Sequence, residues 1–243
     1  MNDEKAGERD WVMTSEAMNG TLFDGRPGLA RSVPFALYML FLGLRPLLEP
    51  LLPEGSARWL YAAQIGSVML ALALLWRHYH ELAEGPVSIA RNLLAAVICG
   101  VLVFVLWINL DLPLLSLGQP EAGAPLDVAG RLDWPWLVVR VFGAAAVVPV
   151  MEELFWRSFI MRWLQKADFR RISPAAVGLR ALFVSSLVFG LEHSLWFAGL
   201  LAGLAYGWLY RRSGNLWWPI LAHGLTNFIL GLWVISSGNW QFW

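Results

Sequence analysis

The sequence is dominated by apolar runs of about the length that a helix needs to cross a lipid bilayer. It has 243 residues, of which 58% are hydrophobic and 15% are charged, whereas a soluble domain carries roughly 25% charged residues. The excess of apolar side chains indicates that lipid surrounds much of the chain. A membrane helix requires ~20 mostly apolar residues, so the runs predict an all-α fold, a polytopic transmembrane helical bundle.

Seven apolar segments are candidate membrane spans, and they divide the chain into three regions. The segments cover residues 33–52, 57–76, 89–110, 134–163, 179–193, 196–210 and 216–235. Residues 1–32 are polar and mixed in charge, and they lack the short basic start and the immediate apolar stretch of a signal peptide. We therefore predict a polar cytoplasmic lead (1–32), a first group of transmembrane helices (33–133) and a transmembrane core (134–243).

The basic residues predict the orientation of the chain, because cytoplasmic loops are enriched in lysine and arginine. Three loops on one side of a seven-span arrangement carry or adjoin nine of the 18 lysines and arginines: Arg77, Arg91, Arg162, Lys166, Arg170, Arg171, Arg180, Arg211 and Arg212. The loop 111–133, on the other side, holds four acidic residues and only Arg131. The N-terminus is therefore predicted to lie in the cytoplasm and the C-terminus outside.

The overall charge and the cysteine content narrow the range of partners. The net charge is zero and no basic stripe with interleaved aromatic residues is present, so no nucleic-acid partner is predicted. The single cysteine, Cys99, lies in an apolar run and is expected to behave as a small hydrophobic side chain. The expected partners are the lipid bilayer and a membrane-associated protein or peptide, and the oligomeric state stays open.

Polar residues inside the apolar segments bear most directly on function, because an ionisable group in a membrane is costly and is usually functional. Six of them lie in three segments that are distant in sequence: Glu152, Glu153, Arg157, His193, His223 and Asn227. Counted from the nearest cytoplasmic basic residue at ~1.5 Å of rise per residue, Glu152, His193 and His223 lie about 15, 20 and 17 Å deep. These similar depths predict one buried, hydrated active site in the core of the bundle.

Helical spacing indicates how the two adjacent glutamates divide their roles. Glu153 and Arg157 are four positions apart and can pair, as His223 and Asn227 share a helix face for the same reason. Glu152 points about 100° away from Glu153 on an ideal helix. One glutamate can therefore be neutralised by the arginine while the other faces a cavity and serves as a general base.

Some polar pairs have a structural interpretation. Glu153 with Arg157, taken alone, is explained by helix packing. Arg45 and Glu49, four positions apart near the outer interface, are expected to form a structural pair. Glu192 is adjacent to His193 and turns to another face of the helix, so it is left out of the candidate site.

Two further features are assigned to packing and to solvent. The sixth segment carries glycines every four residues, on one face that lets another helix approach closely: Gly199, Gly203 and Gly207. This face predicts that the sixth helix lies in the centre of the bundle. His78 and His80 lie in a polar loop with Glu81 and Glu84, where they are expected to be solvated.

The three polar motifs together resemble the family of CAAX proteases and bacteriocin-processing enzymes, abbreviated CPBP or ABI. The motifs are Glu152-Glu153-x-x-x-Arg157, Phe189-x-x-x-His193 and His223-x-x-x-Asn227. They occur in the family order over about residues 134–235, while the preceding half of the chain carries no recognisable signature. The resemblance implies a multi-span intramembrane protease. The short chain is similar in size to a bacterial subgroup of CAAX-protease-related proteins, which implies the bacterial inner membrane.

The resemblance also implies roles for the residues of the site. Glu152 and His193 would activate a water for attack on a peptide bond. His223 and Asn227 would stabilise the oxyanion, a task that suits preorganised donors in a dry site. The other two motif residues would shape the site.

The cofactor is left open by these residues. Glu152, His193 and His223 are a plausible zinc ligand set, with a fourth position for water. Asn227 is a poor zinc ligand and suits oxyanion binding better. A metal-independent mechanism and a Zn²⁺ mechanism therefore both remain possible.

Three functions compete at this point. The first is an intramembrane endopeptidase that hydrolyses a peptide bond of a membrane-associated or lipidated protein. The second is a non-enzymatic immunity or scaffold protein of the same fold. The third is a transporter or proton-coupled channel, in which glutamate and histidine relay protons. The third is disfavoured because the sequence has no internal repeat.

Overall fold

The computed structural model describes residues 22–53, 55–118 and 123–243. The predicted all-α fold is confirmed: helices make up most of the described chain, which has one isolated antiparallel bridge, between Leu126 and Leu132. Most of the predicted lead, up to residue 21, lies outside the described residues.

Seven longer helices of the described chain follow the seven predicted segments. They are α1 (Pro27–Leu48), α2 (Leu60–Leu74), α3 (Ile89–Asn109), α4 (residues 134–163), α5 (Leu179–Leu191), α6 (Trp196–Ser213) and α7 (Trp217–Ser237). Shorter pieces lie between them: a helix at His80–Ala83 and 3₁₀ turns at Glu49–Leu51, Ala57–Trp59, Trp76–His78, Pro113–Leu115, Phe169–Arg171, Pro174–Ala176 and Trp240–Phe242.

The observed helix boundaries differ from the predicted ones by up to six residues, and two of the differences concern α1 and the candidate site. Helix α1 begins at Pro27, six residues before the predicted start at residue 33, because proline has a backbone dihedral suited to the first helical turn and needs no hydrogen bond there. Helix α5 ends at Leu191, so His193 lies in the turn that follows the helix.

Four helical stretches are long and apolar enough to cross a membrane, judged by length and composition. They are Pro27–Leu51, Ala57–Leu74, Ile89–Asn109 and Trp217–Ser237. Leu179–Leu191 is apolar but shorter. The count of seven spans therefore stays a prediction.

Helix α4 is continuous, but its helical type changes four times. Trp134–Phe142, Val148–Glu153 and Met161–Trp163 are α-helical, whereas Gly143–Val147 and Leu154–Ile160 are π-helical. π-Helical turns are rare in proteins overall, and those that occur are often found at functional sites. Here they flank the α-helical stretch that ends with the two adjacent glutamates.

Close packing through small residues places α6 and α7 against their neighbours. Helix α6 packs against α3, α5 and α7, which supports the predicted central position. A Cβ atom on Gly203 would lie 2.8 Å from Cβ of Ser186 in α5, and one on Gly224 in α7 would lie 2.6 Å from the carbonyl oxygen of Ala145 in α4. A larger residue at either glycine would therefore push the helices apart.

A buried arginine joins α1 to α4 on one side of the bundle. Arg31 is 2% exposed, and its Nη2 lies 2.5 Å from Oε2 of Glu81. Its Nε lies 3.2 Å from the hydroxyl oxygen of Ser158 in α4, and that hydroxyl also donates to Glu81. The carbonyls of Pro27 and His78 accept the remaining guanidinium hydrogen bonds. This cluster fixes the loop before α3 against both helices.

Candidate active site

A polar cavity in the core of the bundle brings together four of the six predicted site residues. It has a volume of about 170 Å³, and its lining includes Glu152 from α4, His193 from the turn after α5, and His223 and Asn227 from α7. One water needs roughly 10–15 Å³ of such space. The cavity therefore has room for several waters or for a peptide group.

The two remaining predicted residues lie behind the cavity and pair with each other. Nε of Arg157 lies 3.1 Å from Oε2 of Glu153, as the spacing predicted, and both side chains are almost completely buried. The guanidinium carbon of Arg157 also lies 4.3 Å from the ring centre of Phe189. Glu153 is thus neutralised by Arg157, while Glu152 faces the cavity.

His193 is held so that only one ring nitrogen is free. Its Nδ1 lies 2.9 Å from the carbonyl oxygen of Phe189. A carbonyl can only accept, so the neutral ring carries its proton on Nδ1 and a lone pair on Nε2. The ring centre lies 4.8 Å from that of Phe189 and 5.3 Å from that of Trp107. These two aromatic side chains fix the orientation of the histidine.

His223 lies between the two carboxylates. Its Nδ1 is 3.0 Å from Oε1 of Glu153, and its Nε2 is 3.9 Å from Oε2 of Glu152. The Tyr206 ring stacks on the imidazole at 4.9 Å with an interplanar angle of 18°. The tyrosine is fixed in turn, because its hydroxyl donates to the Thr226 hydroxyl at 2.7 Å.

The position of Asn227 follows from a missing donor in α4. In the first π-helical stretch, the Val148 N–H donates to the carbonyl of Gly143. The next donor in this register would be the N–H of Pro149, but proline has none. The carbonyl of Ala144 instead accepts a hydrogen bond of 2.8 Å from Nδ2 of Asn227. The proline thus creates a binding point on α4 for the asparagine of α7.

Two further charged residues lie around the cavity: Glu192, which the sequence analysis left out of the candidate site, and Arg140, which it overlooked. Glu192 lies in an adjoining cavity of about 300 Å³ together with His193, and it accepts a hydrogen bond of 3.1 Å from Nε1 of Trp156. Arg140, on α4, lines both cavities. The rule that ionisable groups in membrane segments are functional would have identified Arg140, since it lies in the same apolar segment as Glu152.

The side chains present do not form a ready metal site. Among the residues that the structure describes, no group of three or more His, Cys, Asp or Glu side chains lies close enough to hold a metal ion. Glu152, His193 and His223 line one cavity without forming such a set.

A buried carboxylate, two histidines and an amide around a cavity between apolar helices are side chains that a hydrolase inside a membrane can use. The family comparison agrees: residues 134–229 match the family model of Rce1-like type II CAAX prenyl endopeptidases. The match runs from the start of α4 into α7 and contains all three motifs. This part of the chain is similar to the CAAX-protease family, and the match together with the apolar helices supports an integral membrane protein. No curated protein and no solved structure matches the chain.

Proposed function

We propose that this protein is an intramembrane endopeptidase that hydrolyses a peptide bond of a membrane-associated or lipidated protein or peptide. The observation that carries the proposal is the arrangement of Glu152, His193, His223 and Asn227 around one buried cavity. The family match, which is to a family of proteases, supports it.

Water activation is assigned to Glu152 and His193. Oε2 of Glu152 is buried and has no hydrogen-bond partner among the described side chains and backbone groups. An unpaired buried acceptor costs about 1–3 kcal/mol, and a water in the cavity removes this cost. That water is held by the Glu152 carboxylate and by the lone pair on Nε2 of His193. Both acceptors orient its oxygen for attack on a carbonyl carbon.

The hydrolysis then follows an ordinary course of general base and general acid catalysis. The water oxygen bonds to the carbonyl carbon as Glu152 takes one of its protons. The tetrahedral intermediate collapses with breakage of the carbon–nitrogen bond. Glu152 returns the proton to the departing nitrogen, and the products are a carboxylic acid and an amine.

Stabilisation of the oxyanion is assigned to His223 and Asn227. Asn227 has a second amide hydrogen beyond the one bound to Ala144. His223 donates from Nδ1 to Glu153, and its Nε2 faces the cavity, where it donates to the oxyanion when it carries a proton.

The cellular setting is inferred from the charge pattern of the sequence and from the size of the chain. We place the protein in a bacterial inner membrane with its N-terminus in the cytoplasm. The arginine-rich loops before α3, before α5 and after α6 then face the cytoplasm, in keeping with the enrichment of such loops in basic residues.

The test compares cell membranes that contain the wild-type protein with membranes that contain the Glu152→Gln variant. A membrane protein whose uncleaved form accumulates only with Glu152→Gln is the expected result, and it names the substrate. The matched control is Glu49→Gln, which removes a carboxylate from the exposed pair with Arg45 and is expected to leave cleavage intact. If both variants fold and no precursor accumulates, the immunity or scaffold function is favoured instead.

A further inference from the structure

Arg140 lies on the same face of α4 as the glutamate of the candidate active site. Arg140, Ala144, Val148 and Glu152 are spaced four residues apart, and all four line the catalytic cavity. Twelve residues of helix separate the arginine from Glu152, which corresponds to about 18 Å along the axis. The carboxylate of Glu152 and the guanidinium of Arg140 therefore lie at opposite ends of the cavity.

The guanidinium of Arg140 is held by aromatic rings and has no carboxylate partner. Its central carbon lies 4.4 Å from the ring centre of Tyr61 and 5.6 Å from that of Trp243. No ion pair joins it to any described acidic residue, whereas Arg31, Arg58 and Arg157 each have a carboxylate within 3.1 Å. The hydroxyls of Tyr38 and Tyr61 accept hydrogen bonds from this guanidinium. A guanidinium has five N–H donors, so further N–H groups at its edge are available for an anion.

Three adjoining cavities meet at this arginine. It lines the catalytic cavity, the cavity of about 300 Å³ that contains Glu192, and an outer cavity of about 420 Å³. Other charged groups line the second and third cavities: Asp111, Glu192, Arg45, Glu49 and Arg58. Arg45 and Arg58 are already paired with Glu49 and Asp133. Among the described arginines that line these three cavities, Arg140 is therefore the one without a carboxylate partner.

We infer that Arg140 is the centre of a subsite for a carboxylate of the peptide substrate. This inference rests on the proposed function and adds to it the chemistry of one substrate group. A guanidinium binds a carboxylate through two parallel hydrogen bonds. An extended peptide rises about 3.4 Å per residue, so a span of ~18 Å, shortened by the reach of the arginine, places the carboxylate about three to five residues from the cleaved bond.

Two sources can supply the carboxylate, namely the C-terminus of the substrate or an acidic side chain. The probes are lipidated decapeptides, each made as a C-terminal acid and as a C-terminal amide. A second set exchanges an internal Glu for Gln. Binding is measured on the Glu152→Gln protein in nanodiscs, with and without Arg140→Gln, so that it does not depend on cleavage.

The expected result is that acid peptides bind about 10- to 100-fold more tightly than their amides, or Glu peptides more tightly than Gln peptides. Arg140→Gln should remove this preference, and Arg140→Lys should restore part of it because lysine keeps the charge but loses the paired geometry. The matched control is Arg131→Gln, since that arginine is 80% exposed and pairs with Asp127.

Two outcomes overturn the subsite. In one, the charged and the neutral peptide of every pair bind the protein equally well. In the other, Arg140→Gln weakens acid and amide peptides equally, which indicates a packing role.

The subsite and the proposed function fail in different ways. If the wild-type protein cleaves no membrane protein but the charge preference depends on Arg140, the subsite stands and the protease proposal fails. If cleavage occurs without an Arg140-dependent preference, the reverse holds.

Discussion

Nδ1 of His223 lies 3.0 Å from Oε1 of Glu153, and the other oxygen of the same carboxylate lies 3.1 Å from Nε of Arg157. Glu153 therefore joins a buried cation to a histidine of the cavity without lining the cavity itself. In the proposed mechanism Glu153 orients His223, while the neighbouring Glu152 binds the water. The two adjacent glutamates have different surroundings because the helix turns them in different directions.

Removing only Arg157 should destabilise the protein strongly. Arg157→Leu leaves Glu153 as a buried charge without its cation, and breaking such a pair costs about 3–5 kcal/mol. The double variant Glu153→Gln/Arg157→Leu removes both charges and should be more stable than Arg157→Leu alone. Thermal unfolding of the purified proteins in detergent measures this order. A double variant that unfolds at or below the temperature of the single variant contradicts it.

Variants at the hydrogen bond between Asn227 and the Ala144 carbonyl should distinguish the contribution of Asn227 to stability from its contribution to activity. Asn227→Ala leaves that carbonyl unpaired, which should cost about 1–3 kcal/mol, and it removes an oxyanion donor, which should lower kcat about 10²–10³-fold. Adding Pro149→Ala returns a backbone N–H to α4.

The double variant Asn227→Ala/Pro149→Ala should therefore regain stability and remain inactive. Unfolding in detergent and cleavage of the accumulated precursor are the two measurements. Recovery of activity together with stability indicates that Asn227 acts only by fixing α4 to α7.

Much of the fold could be predicted from the sequence because apolar segment length alone decides where a membrane helix can form. The polar motifs were locatable for the same reason, since a glutamate or histidine is conspicuous in an apolar segment. The π-helical turns of α4 could not be predicted. The first of them contains Ala144, whose carbonyl is bound by Asn227, 83 residues later in the sequence.

Contacts between residues far apart in the sequence also explain why the environments of Arg140 and Glu81 were not predicted. Arg140 depends on Tyr61, which donates its hydroxyl to the Arg140 carbonyl across 79 residues of sequence. His80 is exposed, as expected for a polar loop, but its neighbour Glu81 is not solvated. Its partner Arg31 lies in the segment that the sequence assigned to the polar lead. A single-sequence pattern carries no signal for such pairings.

The cluster around Glu81 predicts how the stability of the bundle depends on pH. Burial acts to raise the pKa of Glu81, but the hydrogen bonds and charge of Arg31, with the hydroxyl of Ser158, outweigh burial and lower this pKa below its ordinary value of 4.5. A group with a lowered pKa stabilises the folded state above its unfolded pKa, and this stabilisation is lost as the pH falls through the folded pKa.

The unfolding temperature should therefore fall as the pH drops below about 4.5. Glu81→Gln should lower stability at neutral pH and flatten this acid limb, which a series of thermal unfolding curves between about pH 7 and about pH 3 measures. Glu49→Gln is the control, since it removes the carboxylate of the exposed pair with Arg45 and is expected to leave the acid limb unchanged. If Glu81→Gln and the wild-type protein lose stability in parallel, Glu81 is not the responsible group.

The glycine face of α6 predicts a contrast between two Gly→Ala substitutions. A Cβ on Gly203 would lie 2.8 Å from Ser186 Cβ, whereas one on Gly66 in α2 has no neighbour within 4 Å. Gly203→Ala should therefore destabilise the protein by about 1–3 kcal/mol through overpacking. Gly66→Ala should be neutral or stabilising by up to about 1 kcal/mol, because alanine favours the helix. Gly203→Ala/Ser186→Gly should recover part of the loss, since it exchanges the small residue across the α5–α6 contact. Equal unfolding temperatures for Gly203→Ala and Gly66→Ala would show that α5 and α6 do not depend on this close approach.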